Sequence, residues 1–201
     1  MRRTKVFCGF FFFAISTAFV ISLITIVLKN KKTNESYQKI TSSIQNIMSS
    51  FEANVQIGVM SEGVLLKDAV IKDLENREYM ISEVVTSPKL ILRYSFTGCE
   101  ACLKNEFELL ETDMRIEKSN VIVILSGGNI RMLKAFNQQN THFQFFLSEN
   151  LLIPFDDVGK FYTFMLDSSL IVKDFFIPLQ NASRLSKVYY YAIYNKYFKE
   201  D

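Results

Sequence analysis

Tryptophan is absent, histidine occurs once (His142), and the 201 residues include only three cysteines, three prolines and seven glycines. One histidine and three cysteines cannot furnish a histidine-built metal site or a disulfide-dense mini-protein; no metal and no cofactor is expected. Scarce glycine and proline, with 49% hydrophobic and 14% aromatic residues, exclude collagen-like, low-complexity and largely disordered chains. The length suits one domain with an appendage rather than two domains. The formal charge of +2 is unevenly spread. Four of the 23 basic residues (Arg2, Arg3, Lys5 and Lys29) fall in the first 30 positions with no acid, leaving 19 bases against 21 acids elsewhere. No basic patch interleaves with aromatics in that remainder, so no nucleic-acid partner is expected. No GKS or GKT follows Gly127-Gly128, which excludes that phosphate-binding loop.

What the chain does have begins with residues 6–28, VFCGFFFFAISTAFVISLITIVL, 23 positions without a charge. At about 1.5 Å per residue such a helix crosses a hydrocarbon core of about 30 Å. The exit Val27-Leu28-Lys29-Asn30 offers no small-x-small cleavage site, so an uncleaved signal anchor over residues 1–29 is expected. Cys8 lies near the start of the run, where a lipid-attachment cysteine does not stand, and reads as a small apolar residue. Lysines and arginines on both sides of the run make the orientation signal weak. The following domain is expected outside the cytoplasmic membrane, facing the periplasm or the exterior.

Residues 30–54 read as a polar linker and amphipathic stalk. Tyr37, Ile40, Ile44, Ile47 and Phe51 recur at spacings of 3, 4, 3 and 4, the signature of a helical stripe. The stripe suits either docking on the chain's own domain or a homodimer through the stalk.

From residue 55 to 201 strands alternate with helices. Residues 70–72 and 78–81 flank a turn and predict a hairpin, and residues 82–86 one helical turn. Residues 89–95 (KLILRYS) and 120–126 (NVIVILS) are continuous apolar runs typical of buried parallel strands. Between them Leu103, Phe107, Leu110 and Met114 predict a helix over 100–114. A helix over 129–140, a short strand over 143–147, a hairpin of 162–167 with 171–177, and a closing helix over 183–198 complete a single α/β sandwich.

The informative motif is Cys99-Glu100-Ala101-Cys102. It follows a buried strand through Phe96-Thr97-Gly98 and opens a helix, where unpaired backbone N–H groups and the helix dipole favour thiolate over thiol. The x-x spacing sets the second sulfur one turn on, within reach of a disulfide. Glu100 opposes the thiolate by charge and Lys104 offsets it. Zinc would need two further ligands that Cys8 and His142 are badly spaced to supply. A static structural disulfide, two inert thiols and a dithiol–disulfide redox pair remain open. Asp156-Asp157 reads as a solvated turn and His142 as an edge residue.

The stretch from about Gly63 to Cys102 resembles the front half of a membrane-anchored, thioredoxin-like protein of the TlpA/ResA type, as found in Bacteroidota. YTFMLDSSLIVKDFFIP resembles that family's closing strand pair, and residues 183–198 its last helix. The resemblance implies a thioredoxin-like sandwich with an N-terminal β-hairpin, preceded by a single transmembrane helix and a helical stalk. It also implies thiol–disulfide oxidoreductase activity on protein substrates or redox partners, with Cys99 attacking and Cys102 resolving. Three positions depart from the family pattern. Arg93 stands where a buried acid is usual, Gly98 replaces the tryptophan before the first cysteine, and Tyr162, followed by Thr163, takes the place of a substrate-contacting cis-proline. Gly98, Glu100, Arg93, Tyr162 and Thr163 are accordingly candidates for tuning or substrate contact. The alternative is a non-catalytic scaffold whose CxxC is a fixed disulfide.

Overall fold

The computed structural model describes the backbone of residues 3–96, 100–112, 115–139, 143–151, 161–179 and 183–199. Side chains are described within those ranges from residue 22 onward, apart from 100–102 and 139. The chain divides into two compact units, Met1–Phe51 and Glu52–Asp201.

In the first unit the backbone is helical throughout its described length, as part of α1 (Arg3–Ser61). The sequence led us to expect a polar linker and stalk over residues 30–54 and strands from about residue 55. The helix instead continues, because no glycine or proline lies between residues 10 and 57. It stops where Gly63 adopts φ +78° and the Glu62 amide donates to the Gly58 carbonyl, a glycine-assisted helix end. Among the described residues no helix is long and apolar enough to cross a membrane. The side chains of residues 6–21, most of the expected span, lie outside those described.

The second unit is built on one seven-stranded sheet in the order β2-β1-β5-β4-β3-β6-β7. Its strands are β1 (Val70–Lys72), β2 (Glu78–Met80), β3 (Lys89–Ser95), β4 (Val121–Ser126), β5 (Gln144–Leu147), β6 (Phe161–Leu166) and β7 (Lys173–Phe176). β3, β4 and β5 are parallel, while β1–β2, β1–β5, β3–β6 and β6–β7 pair antiparallel. The expected hairpin is β1–β2, with Ile71 opposite Tyr79, and its turn is held by Asp73, which accepts the Glu75 and Arg77 amides and the Arg77 guanidinium. A single turn, α2 (Ile81–Val84), follows.

The two central strands are apolar on both faces because both faces are covered. Leu90, Leu92, Val121, Val123 and Leu125 point to one layer; Ile91, Ile122 and Ile124 point to the other. The β3-to-β4 and β4-to-β5 crossovers advance in the same direction, which puts their helices α3 (Glu100–Thr112) and α4 (Ile130–Gln139) on one face. That face also carries α5 (Ser183–Ile193), which ends in a π-helical turn, Tyr194–Phe198. Leu103, Phe107, Leu133, Tyr190 and Ile193 fill this layer. The opposite layer holds Ile57 from the end of α1, Leu66, Ile71, Ile81 and Val85. Asn54 fastens α1 to the strand side: its amide nitrogen donates to the Ile177 carbonyl at 2.8 Å, and its oxygen accepts the Ile177 amide at 2.6 Å.

Candidate functional site

The carboxyl end of β3 and the start of α3 form the candidate site. β3 is one of the two central strands, paired with β4 on one side and β6 on the other, and its last residues lead into the segment that follows. Gly98 and Cys99 lie outside the described residues. Glu100 and Cys102 lie in α3 with their side chains outside them, and Cys8 likewise lies in α1. His142 and Asp156-Asp157 are also outside. The described residues around the motif are informative in themselves.

Phe96, three residues before Cys99, is pinned from two sides. Its amide donates to the Ser126 carbonyl at 2.9 Å, extending the β3–β4 pairing by one residue. Its ring lies on Gly128, where an added Cβ would come within 2.2 Å of the ring carbons. Gly127 turns the chain there with φ +68°, and the Gly-Gly pair is thus a seat for Phe96. Edge-on contacts to Tyr94 and Phe136 complete the setting.

One turn beyond Cys102 in α3 stands Glu106, which is buried, with 3% exposure. Its Oε1 accepts the Ser186 hydroxyl at 2.8 Å and its Oε2 the Tyr190 hydroxyl at 2.6 Å, both from α5. Burial pushes the Glu106 carboxyl above its usual value, and the hydrogen bonds from Tyr190 and Ser186 pull it partly back. Burial and the neighbouring Glu106 charge raise the Tyr190 phenol well above its ordinary value. A titratable carboxyl therefore sits on the motif helix, four residues from the second cysteine, in a water-poor layer. Positions i and i+4 share a helix face, about 6 Å apart at Cβ.

Arg93 and Tyr162 lie on the opposite face of the sheet from that cluster, and only Thr163 shares its face. Arg93 is buried on the layer opposite α3, and its guanidinium donates to the carbonyls of Tyr94 at 3.4 Å and Glu149 at 3.3 Å. Tyr162, opposite Arg93 in the β3–β6 register, is fully buried in that same layer and stacks on Phe164 and Phe175. It fills core rather than a surface groove. Thr163 is fully buried between β3 and β7, on the face that α3 and α5 cover. Lys104 is exposed. Among the described residues no group of three metal-ligating side chains occurs.

Sequence reasoning did not single out Glu106 or Gly128. The signal for Glu106 was a carboxylate beside the apolar stripe of Leu103, Phe107 and Leu110, but Ser186 and Tyr190 lie 80 and 84 residues away.

No protein-family model and no curated protein matches the chain. Solved structures do match. A thiol:disulfide interchange protein from Bacteroides sp. superposes with TM-score 0.54 at 12% identity, covering 70% of this chain and 92% of that one. A protein assigned as a disulfide isomerase from Bacteroides thetaiotaomicron gives TM-score 0.50 at 16% identity, covering 69% and 91%. The thioredoxin domain of a Bacteroides vulgatus thiol-disulfide oxidoreductase gives TM-score 0.48 at 12% identity, covering 64% and 97%. At these identities the likeness is one of fold, and the second unit has the thioredoxin-like fold expected from the residues around the CxxC.

Proposed function

We propose that the chain is a membrane-tethered, extracytoplasmic thiol–disulfide oxidoreductase that exchanges a Cys99–Cys102 dithiol/disulfide with protein partners. The observation that carries this reading is the coincidence of the motif with the fold: Cys99-Glu100-Ala101-Cys102 falls where α3 starts, four residues after β3, one of the two central strands of a thioredoxin-like sheet. The orphan amides of a helix start stabilise a thiolate there.

In the reducing direction the Cys99 thiolate attacks one sulfur of a substrate disulfide. The substrate S–S bond breaks, a mixed disulfide forms, and one substrate thiolate leaves. The Cys102 thiolate then attacks the Cys99 sulfur, closing the Cys99–Cys102 disulfide and releasing the second substrate thiolate. Two electrons pass to the substrate, and a partner dithiol must return them before the next cycle. The oxidising direction is the reverse.

The tether is the uncharged run of residues 6–28, which is long enough to span a bilayer, with residues 30–54 as stalk and residues 55–201 as the working domain. The full chain should remain in the membrane pellet after an alkaline carbonate wash; release into the supernatant removes the anchor from the reading.

The catalytic claim is tested by equilibrating the chain in glutathione or dithiothreitol buffers and reading thiol alkylation by mass. A reversible couple between about −120 and −270 mV is expected of a working pair, and a disulfide resisting reduction below about −300 mV marks a structural bridge. That second result would give the scaffold reading precedence. Its supporting observation is Tyr162, which packs the core at the position where the family resemblance leads one to expect a substrate-contacting proline.

A further inference from the structure

The first unit presents an exposed apolar stripe on one side of its helix. Tyr37, Ile40, Ile44, Ile47 and Phe51 are 65%, 57%, 51%, 45% and 54% exposed in α1, and every side chain from residue 22 to 49 is exposed. Single exposed apolar residues are ordinary, but a row of five on one helix face marks an interaction surface. An unpacked helix is also marginal in water, since most helical stability comes from burying an amphipathic face.

The charges around the stripe say what covers it. With Tyr37 at heptad position a, the stripe occupies a and d in succession through Phe51, and Asn30 falls at the preceding a. Between residues 30 and 56 the charged residues are Lys31, Lys32, Glu35, Lys39 and Glu52. They fall at b, c, f, c and b, all on the side away from the seam. The flanking e and g positions carry no charge over this stretch, and g is serine three times running, at Ser36, Ser43 and Ser50. A different partner helix would be selected by charges at e and g. Here none exists to select one, and none exists to repel an identical helix. Small serines also let two such helices approach closely.

The next d position belongs to the chain itself: it is Asn54, clamped to Ile177. The seam therefore stops where the second unit begins to use the helix for its own core. We propose that residues 30–51 pair with the same residues of a second copy of this chain, in parallel and in register. Apolar side chains then meet from Tyr37 to Phe51, and Asn30 faces Asn30. The parallel sense rests on the membrane-anchor reading, which points both copies the same way. The pairing does not depend on it, nor on the redox chemistry.

The test uses the full chain in detergent and in lipid vesicles. Ile40→Cys and Ser42→Cys are introduced separately into the chain with its three native cysteines replaced by serine, and disulfide formation between copies is followed under mild oxidation. Ile40→Cys, at the seam, should link at least tenfold faster than Ser42→Cys, two residues away on the outer face. In sedimentation the native chain should run at twice the single-chain mass, and Ile40→Ser/Ile44→Ser at the single-chain mass. The second unit's thermal unfolding should be unchanged, because neither residue belongs to it. Equal linking at the two positions, or a native chain sedimenting as one copy, overturns the pairing. Either result leaves the Cys99–Cys102 potential, measured separately, to decide the redox reading.

Discussion

The buried Glu106 cluster makes a quantitative statement about pH and stability that Tyr190→Phe isolates. The substitution keeps the ring in its packed place and removes only the hydroxyl that donates to Glu106 Oε2 at 2.6 Å. The Glu106 carboxyl has a folded value raised above its ordinary 4.5. Folding thus favours the protonated form: the group's contribution is fully present below the unfolded value and is lost as pH rises through the folded one. The Tyr190 and Ser186 hydroxyls limit that loss by supporting the ionised form. Above the folded value the deleted bond is one to a charged acceptor, worth about 1.5–3 kcal/mol, whereas near pH 4 it is a bond to a neutral acid, worth about 0.5–1.5 kcal/mol. The variant should therefore lose about 1 kcal/mol more at pH 8 than at pH 4. For a chain of this length that is about 2–4 °C of extra Tm loss. Thermal unfolding of the full chain, followed by circular dichroism at pH 4, 6 and 8, reads this directly. In a Glu106→Gln background, where no charge can form, the effect of Tyr190→Phe should become independent of pH. An equal loss at all three pH values in the native background would refute the assignment of a titrating buried carboxylate.

Other consequences are as specific. At a pH above the folded value of Glu106, Glu106→Gln removes a buried negative charge one turn beyond Cys102, which should favour thiolate and move the pair's potential upward by about 10–30 mV; a downward shift on glutathione titration contradicts the proximity. Gly128→Ala forces the Phe96 ring off its seat, costing about 1–3 kcal/mol of stability, and should change the rate at which Cys99 reacts with an aromatic disulfide reagent; an unchanged rate and stability rule out the seat. Gly58→Ala places its methyl at ordinary contact distance, 3.5 Å from the Phe175 carbonyl, and should stabilise α1 by about 0.5–1 kcal/mol in denaturant titrations. Asp167, which accepts from Lys173 and Ser169, is held down to about 2. Its contribution is present above the unfolded value of 3.8 and is lost as pH falls through about 2. After allowance for solvent screening, Asp167→Ala should cost about 1 kcal/mol at pH 7 and close to nothing at pH 2.

The local elements were legible because their signals lie within a few residues. KLILRYS is β3 over the expected residues, since an unbroken apolar run of that length between a proline and a turn fits a strand covered on both faces. The β1–β2 hairpin, α4 and the closing helix were legible for the same reason. The length of α1 differs from the expectation: residues 30–54 read as a linker and stalk separate from the preceding run, but lysine, threonine, asparagine and glutamate do not stop a helix that has no glycine or proline between residues 10 and 57.

Residue chemistry and spacing alone determined that a CxxC opens a helix after a buried strand, and that the apolar stripe from Tyr37 to Phe51 lies on one side of a helix. Those are properties of near neighbours in the chain. Tertiary structure decided what stands beside them. It set Arg93 and Tyr162 in the layer away from α3, although strand alternation in the sequence could not say which layer was which. It brought Ser186 and Tyr190 onto Glu106, and Phe96 onto Gly128, across separations of 80, 84 and 32 residues. Such contacts depend on the direction of two crossovers and on the helix that closes over them. That is why a carboxylate which reads as an ordinary helix-surface residue is buried, hydrogen-bonded and one turn from a cysteine.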